Sequence, residues 1–197
     1  YSTLLGGAGT DRGNGITVNS SNQAHVVGVT GSPNFPLANA IRSTNQINEA
    51  FVSVIGSGGN TLVNSTFLGG ADQETANSVA LDSFGNIYVT GNTQSNNFPL
   101  ALPFQATLAG DRDAFVTKLK FGKGILSSSY MGGSDLDSGK GIAVRGNKTF
   151  VVGLTESNNL ATTNGVIKPT FGGSRDGFIA KILDSRLDSV GVFRPAS

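Results

Sequence analysis

Short apolar runs recur along the chain, set apart by stretches rich in Gly, Asn, Ser and Asp, and they sort into four sets. GITV (Gly15–Val18), SVAL (Ser78–Leu81) and GIAV (Gly141–Val144) form the first set. AHVVGVT (Ala24–Thr30), IYVTGNT (Ile87–Thr93) and TFVVGLT (Thr149–Thr155) form the second. AFVSVI (Ala50–Ile55), AFVTKL (Ala114–Leu119) and GFIAKI (Gly177–Ile182) form the third. STLLGG (Ser2–Gly7), STFLGG (Ser65–Gly70) and SSYMGG (Ser128–Gly133) form the fourth. Each run predicts a strand, and the sets are designated A, B, C and D in that order. In the C run, Phe115, Thr117 and Leu119 share one face and Val116 and Lys118 the other, the period of two of a half-buried strand. In the A run, Ile142 and Val144 share a face with Ala143 opposite. The B runs alternate less, which suits a strand covered on both faces. NSSNQ, DSFGN and RGN, between A and B, have the composition of hairpin turns.

The four sets keep step. Gly6, Gly69 and Gly132 stand at equal spacing, 63 residues apart. A four-stranded unit repeated in tandem is the signature of a β-propeller blade. The expected fold is therefore all-β, with four-stranded antiparallel propeller-type blades in three repeats, either a partial propeller or a ring completed by oligomerisation. The divisions are an unmatched D-type strand at 1–7, units at 8–70, 71–133 and 134–187, and a divergent segment at 188–197. The B–C connections, Gly31–Glu49, Gln94–Asp113 and Glu156–Asp176, are far longer than hairpin loops. Two carry NFPL (Asn34–Leu37, Asn97–Leu100) and the third has NLAT (Asn159–Thr162). Apolar residues within them, Ile41, Phe104, Ile167 and Phe171, predict loops that fold back and pack. Long loops on a rigid scaffold are also where binding concentrates.

Taken together, YSTLLGG, DRGNGITV, DSFGNIYVTGNT, NFPL and DAFVTKL resemble the SBBP-type β-propeller repeat family across nearly the whole chain. The resemblance implies a propeller fold, a bacterial secreted or cell-surface protein, and a non-catalytic binding or structural role. It brings no catalytic residues. DSVGVFRPAS (Asp188–Ser197) departs from the pattern, standing where another STxLGG strand is expected.

Propellers close with roughly four to eight blades, so three repeats leave a closure problem. Three arrangements remain open: a piece of a longer propeller, a half-propeller that dimerises into six blades, and an open strand-exchanging polymer. Tyr1, Ser2, Thr3, Leu4 and Leu5 form a D-type strand with no A, B or C strand before it. The last C strand is followed only by the divergent segment with Val190, Val192 and Phe193. Those two end segments are the expected assembly strands, because an unpaired edge recruits another strand.

Composition narrows the function. Gly is 28 of 197 residues and charged residues are only 14%, which disfavours a helical bundle and suits strands joined by tight turns. Net charge is +1 with no basic run and no Trp, so the footprint of a nucleic-acid binder is missing. No apolar stretch reaches the ~18 residues of a membrane helix. Absence of Cys removes disulfides, thiolate metal sites and a Cys nucleophile. Low charge with abundant Gly, Ser, Thr and Asn leans toward an extracellular or cell-surface protein. The chain opens on YSTLLGG without initiator Met, secretory leader or lipidation motif, and reads as a processed or excised piece.

Little in the sequence points to an enzyme. His25, the sole His, takes the place of Tyr88 and Phe150 in the repeat, an aromatic packing position. GSDLDSGKG (Gly133–Gly141) misses the phosphate-loop spacing and is followed by a strand rather than a helix. Two acidic sets recur: Asp11, Glu74 and Asp137 before strand A, and Glu49, Asp113 and Asp176 before strand C. One reading is calcium held by carboxylates and carbonyls. The other is turn capping, or pairing with a neighbouring Arg, for which Arg112 and Arg175 stand adjacent. Asn19, Asn64 and Asn147 lie in N-x-Ser/Thr sequons. The leading expectation is a non-enzymatic extracellular module that assembles with itself or with other surface proteins. The alternative is a carbohydrate-binding module using Phe35, Phe98, Phe104 and Phe171 on the long loops.

Overall fold

The computed structural model describes residues 1–46 and 48–183; Val190, Val192 and Phe193 lie outside the described residues. Among the described residues eleven strands form three antiparallel sheets. The first holds β1 (Asp11–Val18), β2 (Ala24–Thr30), β3 (Glu49–Ile55) and β4 (Leu62–Leu68) in the order β1-β2-β3-β4. The second repeats it with β5 (Glu74–Leu81), β6 (Ile87–Thr93), β7 (Asp113–Lys120) and β8 (Gly124–Met131). The third holds β9 (Asp137–Arg145), β10 (Lys148–Thr155) and β11 (Asp176–Leu183), ordered β11-β10-β9. Among the described residues the outer edge of β11 has no strand beside it.

The first strand of each sheet begins four residues before the apolar run that announced it, because a bulge breaks the alternation. The register shifts between Gly13 and Gly15 and between Ala76 and Ser78. The extra residue of each bulge is Asn14 or Asn77. Each turns its amide to the next sheet, Asn14 Nδ2 donating to the Ala76 carbonyl at 2.9 Å and Asn77 Nδ2 to that of Gly139 at 2.7 Å. A bulge that re-aims a side chain here ties one sheet to the next. At the bulge the paired strand comes very close. A β-carbon on Gly91 would overlap the Thr75 carbonyl oxygen, and one on Gly28 that of Arg12. Gly91→Ala is therefore expected to destabilise by about 2–4 kcal/mol, in the range of other backbone-strain substitutions, read as a lowered urea midpoint. A loss below 0.5 kcal/mol would mean that the strands separate freely there.

The sheets stack in sequence order. β5 lies against β1, β2 and β3, and β9 against β5, β6 and β7. Val52, Val54 and Leu68 of the first sheet meet Val89, Phe115 and Tyr130 of the second in one buried cluster. Ala114 and Met131 of the second sheet meet Val151, Ile142 and Phe178 of the third in another. Burial on both faces explains why the middle strands carry near-continuous apolar runs. No helix among the described residues is long and apolar enough to cross a membrane.

Residues 1–7 form no strand, in contrast to the D-strand expectation, since among the described residues no strand lies beside them. The Tyr1 ring lies across Gly59 in the β3–β4 turn. Leu5 packs on the Phe35, Phe51 and Phe67 cluster, while Leu4 is 99% exposed.

Candidate functional site

The two acidic sets converge on the Gly-Gly turns between sheets. Asp137 Oδ2 accepts hydrogen bonds from the Gly133 N–H and the Ser157 hydroxyl, both at 2.7 Å. Asp11 Oδ2 does the same with the Gly7 N–H at 2.8 Å and the Ser32 hydroxyl at 2.7 Å. Glu74 accepts from the Thr93 hydroxyl at 2.6 Å. Around each acid a Thr-x-Ser-x-Asn segment closes the turn. The Thr30, Thr93 and Thr155 hydroxyls accept from the N–H of Ser32, Ser95 and Ser157. Asn34, Asn97 and Asn159 accept from the N–H of Ala8, Ala71 and Ser134. Buried donors need partners, and this knot supplies them wherever the chain passes from one sheet to the next.

The acids before the third strands close the long loops. The Gln46, Ala109 and Gly172 N–H groups donate to Glu49, Asp113 and Asp176 respectively. Their side-chain partners are not the adjacent arginines: Arg175 pairs with Glu156. The loop folds back and brings in residues seven or eight positions earlier. Arg42 pairs with Glu49, Gln105 Nε2 donates to Asp113 at 2.7 Å, and Lys168 Nζ donates to Asp176 at 2.8 Å.

An acid of one sheet thus faces an acid of the next across the first glycine of each turn. A β-carbon on Gly132 would lie 2.6 Å from Asp113 Oδ1 and 2.8 Å from Asp137 Oδ2. Both carboxylates are fully buried, as are Glu49 and Glu74 at the preceding turn. Burial pushes Glu49 up to about 7 even with the Arg42 guanidinium beside it, and pushes Asp113 up to about 6. Burial also raises Glu74. Asp11 is the contrast: burial is outweighed by hydrogen bonds from Thr30, Gly7 and Ser32, which hold it below the usual range. Among the described residues no three carboxylate or imidazole side chains converge, so calcium at either set would rest on two carboxylates and backbone carbonyls.

These shifts set a pH dependence. A buried acid whose folded pKa exceeds its unfolded value stabilises the fold below the unfolded value and loses that contribution as pH rises through the folded one. For Asp113 the window runs from 3.8 to about 6, and for Glu49 from 4.5 to about 7. Thermal stability is expected to fall by a few kcal/mol, at about 1.4 kcal/mol per unit, between pH 5 and pH 8. Asp113→Asn should flatten the lower part of that slope. A melting temperature that rises across this range would contradict the assignment.

The loop aromatics are core rather than open ligand platforms. Phe35 and Phe98 are 4% and 3% exposed. Phe35 stacks on Phe51 with ring centroids 4.6 Å apart, and Phe98 on Phe115 at 4.7 Å. Phe67 and Tyr130 complete the two triads at 6.2 and 6.0 Å. The NFP turn folds each ring inward, and the apolar neighbours that signalled a packed loop account for it. Phe104 is half-buried against Met131 and its neighbours, and Phe171 is half-buried. His25 is buried with neither ring nitrogen hydrogen-bonded, and burial lowers its pKa, so it packs as a neutral ring. The Asp82 turn is an Asx-type cap: Oδ1 accepts from the Phe84 and Asn86 N–H groups at 2.9 Å. An apolar pocket between the first and second sheets is lined by Ile41, Pro99, Leu119 and Ile125, with the Arg42 guanidinium directed to Glu49.

Among the described residues the third sheet has a bare face. Position for position, Val52 and Val27 of the first sheet are 0% exposed, whereas Ile179 and Val152 of the third are 81% and 44% exposed. Neither this face nor the Arg42, Gln105 and Lys168 series is among the features that the apolar runs predict. The 63-residue register would have shown that series.

Among the described residues, stacked antiparallel meanders joined by knotted Gly-Gly turns make an all-β fold. Residues 63–99 match the family model of the SBBP beta-propeller repeat, and the chain carries that repeat. The matched segment runs from β4 to the NFP turn and contains one whole knot, Gly69, Gly70, Glu74, Thr93, Ser95 and Asn97. No curated protein matches the chain.

Proposed function

We propose that the chain is a non-enzymatic, extracellular protein-interaction module that assembles through its exposed sheet surfaces. The observation that carries the reading is the third sheet: among the described residues, an edge strand with no strand beside it and a face with Ile179 and Val152 uncovered. Proteins usually blunt such edges, because bare backbone donors and acceptors recruit another strand. The acids with raised pKa, Glu49, Glu74 and Asp113, are engaged in closing the turns and long loops, a structural use. Extracellular placement rests on low charge and abundant Gly, Ser, Thr and Asn, together with the repeat type.

Light scattering after size exclusion tests the reading on the intact chain. The expected mass is at least twice 20.2 kDa at micromolar concentration. A monomer at every concentration up to the millimolar range would overturn self-assembly. A glycan reading has less support, since two of its four rings are buried. Binding on a glycan array that is lost with Phe171→Ala would revive it.

A further inference from the structure

What holds the fourth strand in each complete sheet is visible twice, at corresponding residues. Ser53 pairs with Ser65, and Thr117 with Ser128, the hydroxyls of each pair 2.8 Å apart. Phe51 pairs with Phe67 and Phe115 with Tyr130. On the other side of the strand the long loop comes back. The Arg42 and Gln105 N–H groups donate to the hydroxyls of Thr66 and Ser129, both at 2.9 Å. The Arg42 guanidinium donates to the carbonyls of Gly69 and Gly70, and Gln105 Oε1 accepts from the Gly132 N–H at 3.0 Å.

The third sheet has the acceptor half of this arrangement. Phe178 stands at the place of Phe51 and Phe115, and Ala180 at that of Ser53 and Thr117. Lys168 stands at the place of Arg42 and Gln105, paired with Asp176 and 57% exposed. Ile167, which corresponds to the packed Ile41 and Phe104, is fully exposed.

The donor half lies at residues 2–7. STLLGG keeps the register of STFLGG and SSYMGG, so Leu4 corresponds to Phe67 and Tyr130. Those two are 3% and 0% exposed, while Leu4 is 99% exposed. Leu5 corresponds to Leu68 and Met131, which pack toward the following sheet, and Leu5 already packs on the first sheet in the same way. The segment is seated on one side and bare on the side that faces a third strand.

We propose that residues 2–7 of one copy form the fourth strand on β11 of a second copy, with Leu4 opposite Phe178 and Ser2 opposite Ala180. Lys168 takes the part of Arg42, its N–H donating to the Thr3 hydroxyl and its ammonium to the Gly6 and Gly7 carbonyls. Because Leu5 stays on its own first sheet, that sheet is carried onto the Ile179 and Val152 face of the partner. Two copies of these residues exchanging strands reciprocally bring six described sheets together, a number within the range of about four to eight that closes a propeller. This inference rests on the protein-interaction reading and names its partner.

The chain has no Cys, so an engineered pair reports one contact. Ser2→Cys and Ala180→Cys are made as separate variants, mixed and oxidised. A covalent dimer containing one of each is expected at a yield at least tenfold above the mixture of Ser2→Cys with Ile179→Cys, whose side chain points to the other face. Leu4→Glu, at a position exposed in the single chain, should abolish the link and halve the mass measured by light scattering. No link above the Ile179→Cys control overturns the strand exchange. If the mass remains that of a dimer, assembly by another surface survives. If a chain carrying Ser2→Cys and Ala180→Cys together links only to itself, the second copy as partner is overturned.

Discussion

Arg42→Ala is expected to cost about 3–5 kcal/mol of stability at pH 8, the usual penalty for leaving a buried charge without its partner. The guanidinium is bonded to Glu49 and to the carbonyls of Gly69 and Gly70, and Glu74 shares the same turn. With the cation gone, two fully buried carboxylates face each other and two carbonyls lose donors. The loss should shrink at pH 5, because burial already favours protonation of Glu49, whose pKa of about 7 lies above that pH. Urea unfolding at the two pH values separates this account from simple loss of side-chain packing, which would be equal at both. Arg42→Gln should be milder, since Gln105 holds the corresponding position in the second sheet and reaches Asp113 and Gly132.

Tyr130→Ala should be as damaging, about 3–5 kcal/mol, as for other large buried aromatics. Its ring is fully buried against Phe98. Its hydroxyl donates to the Ser95 carbonyl at 2.6 Å and accepts from the Phe98 N–H at 3.1 Å. Tyr130→Phe isolates the polar part, about 1–2 kcal/mol for a buried N–H left unpaired. The first sheet shows how that cost is reduced: Phe67 has no hydroxyl, and the Phe35 N–H donates to the Ser32 carbonyl instead. A Tyr130→Phe variant as damaged as Tyr130→Ala would place the energy in the hydroxyl rather than the ring. By contrast, Leu4→Ala, at the corresponding but exposed position, should leave monomer stability within about 0.5 kcal/mol.

The contrast between Tyr130 and Leu4 shows what the sequence carries and what it hides. The second and third strands of each unit, and the fourth strands of the first two, were legible because their apolar runs recur in one register and carry strand-forming residues. The first strands were read four residues short, since the bulges at Asn14 and Asn77 break the alternation on which strand recognition depends. The acids were legible as a recurring set, but their partners were not. Arg112 and Arg175 are neighbours in sequence, whereas the loop reverses and delivers Arg42, Gln105 and Lys168. Phe35 and Phe98 looked like loop aromatics available to a ligand, and the NFP turn instead directs both rings into the core. The Thr-x-Ser-x-Asn segment, present in all three units, was the signal for the turn knot, because such side chains cap backbone groups locally.

Amide hydrogen exchange along β11 tests whether a fourth strand from a second copy completes the third sheet. At concentrations where the chain is dimeric, the amides of Asp176–Leu183 not bonded to β10 should be protected like those of β3 and β7. The protection should vanish on dilution and in Leu4→Glu. Fast exchange of those amides at every concentration, with β3 and β7 protected throughout, would contradict it.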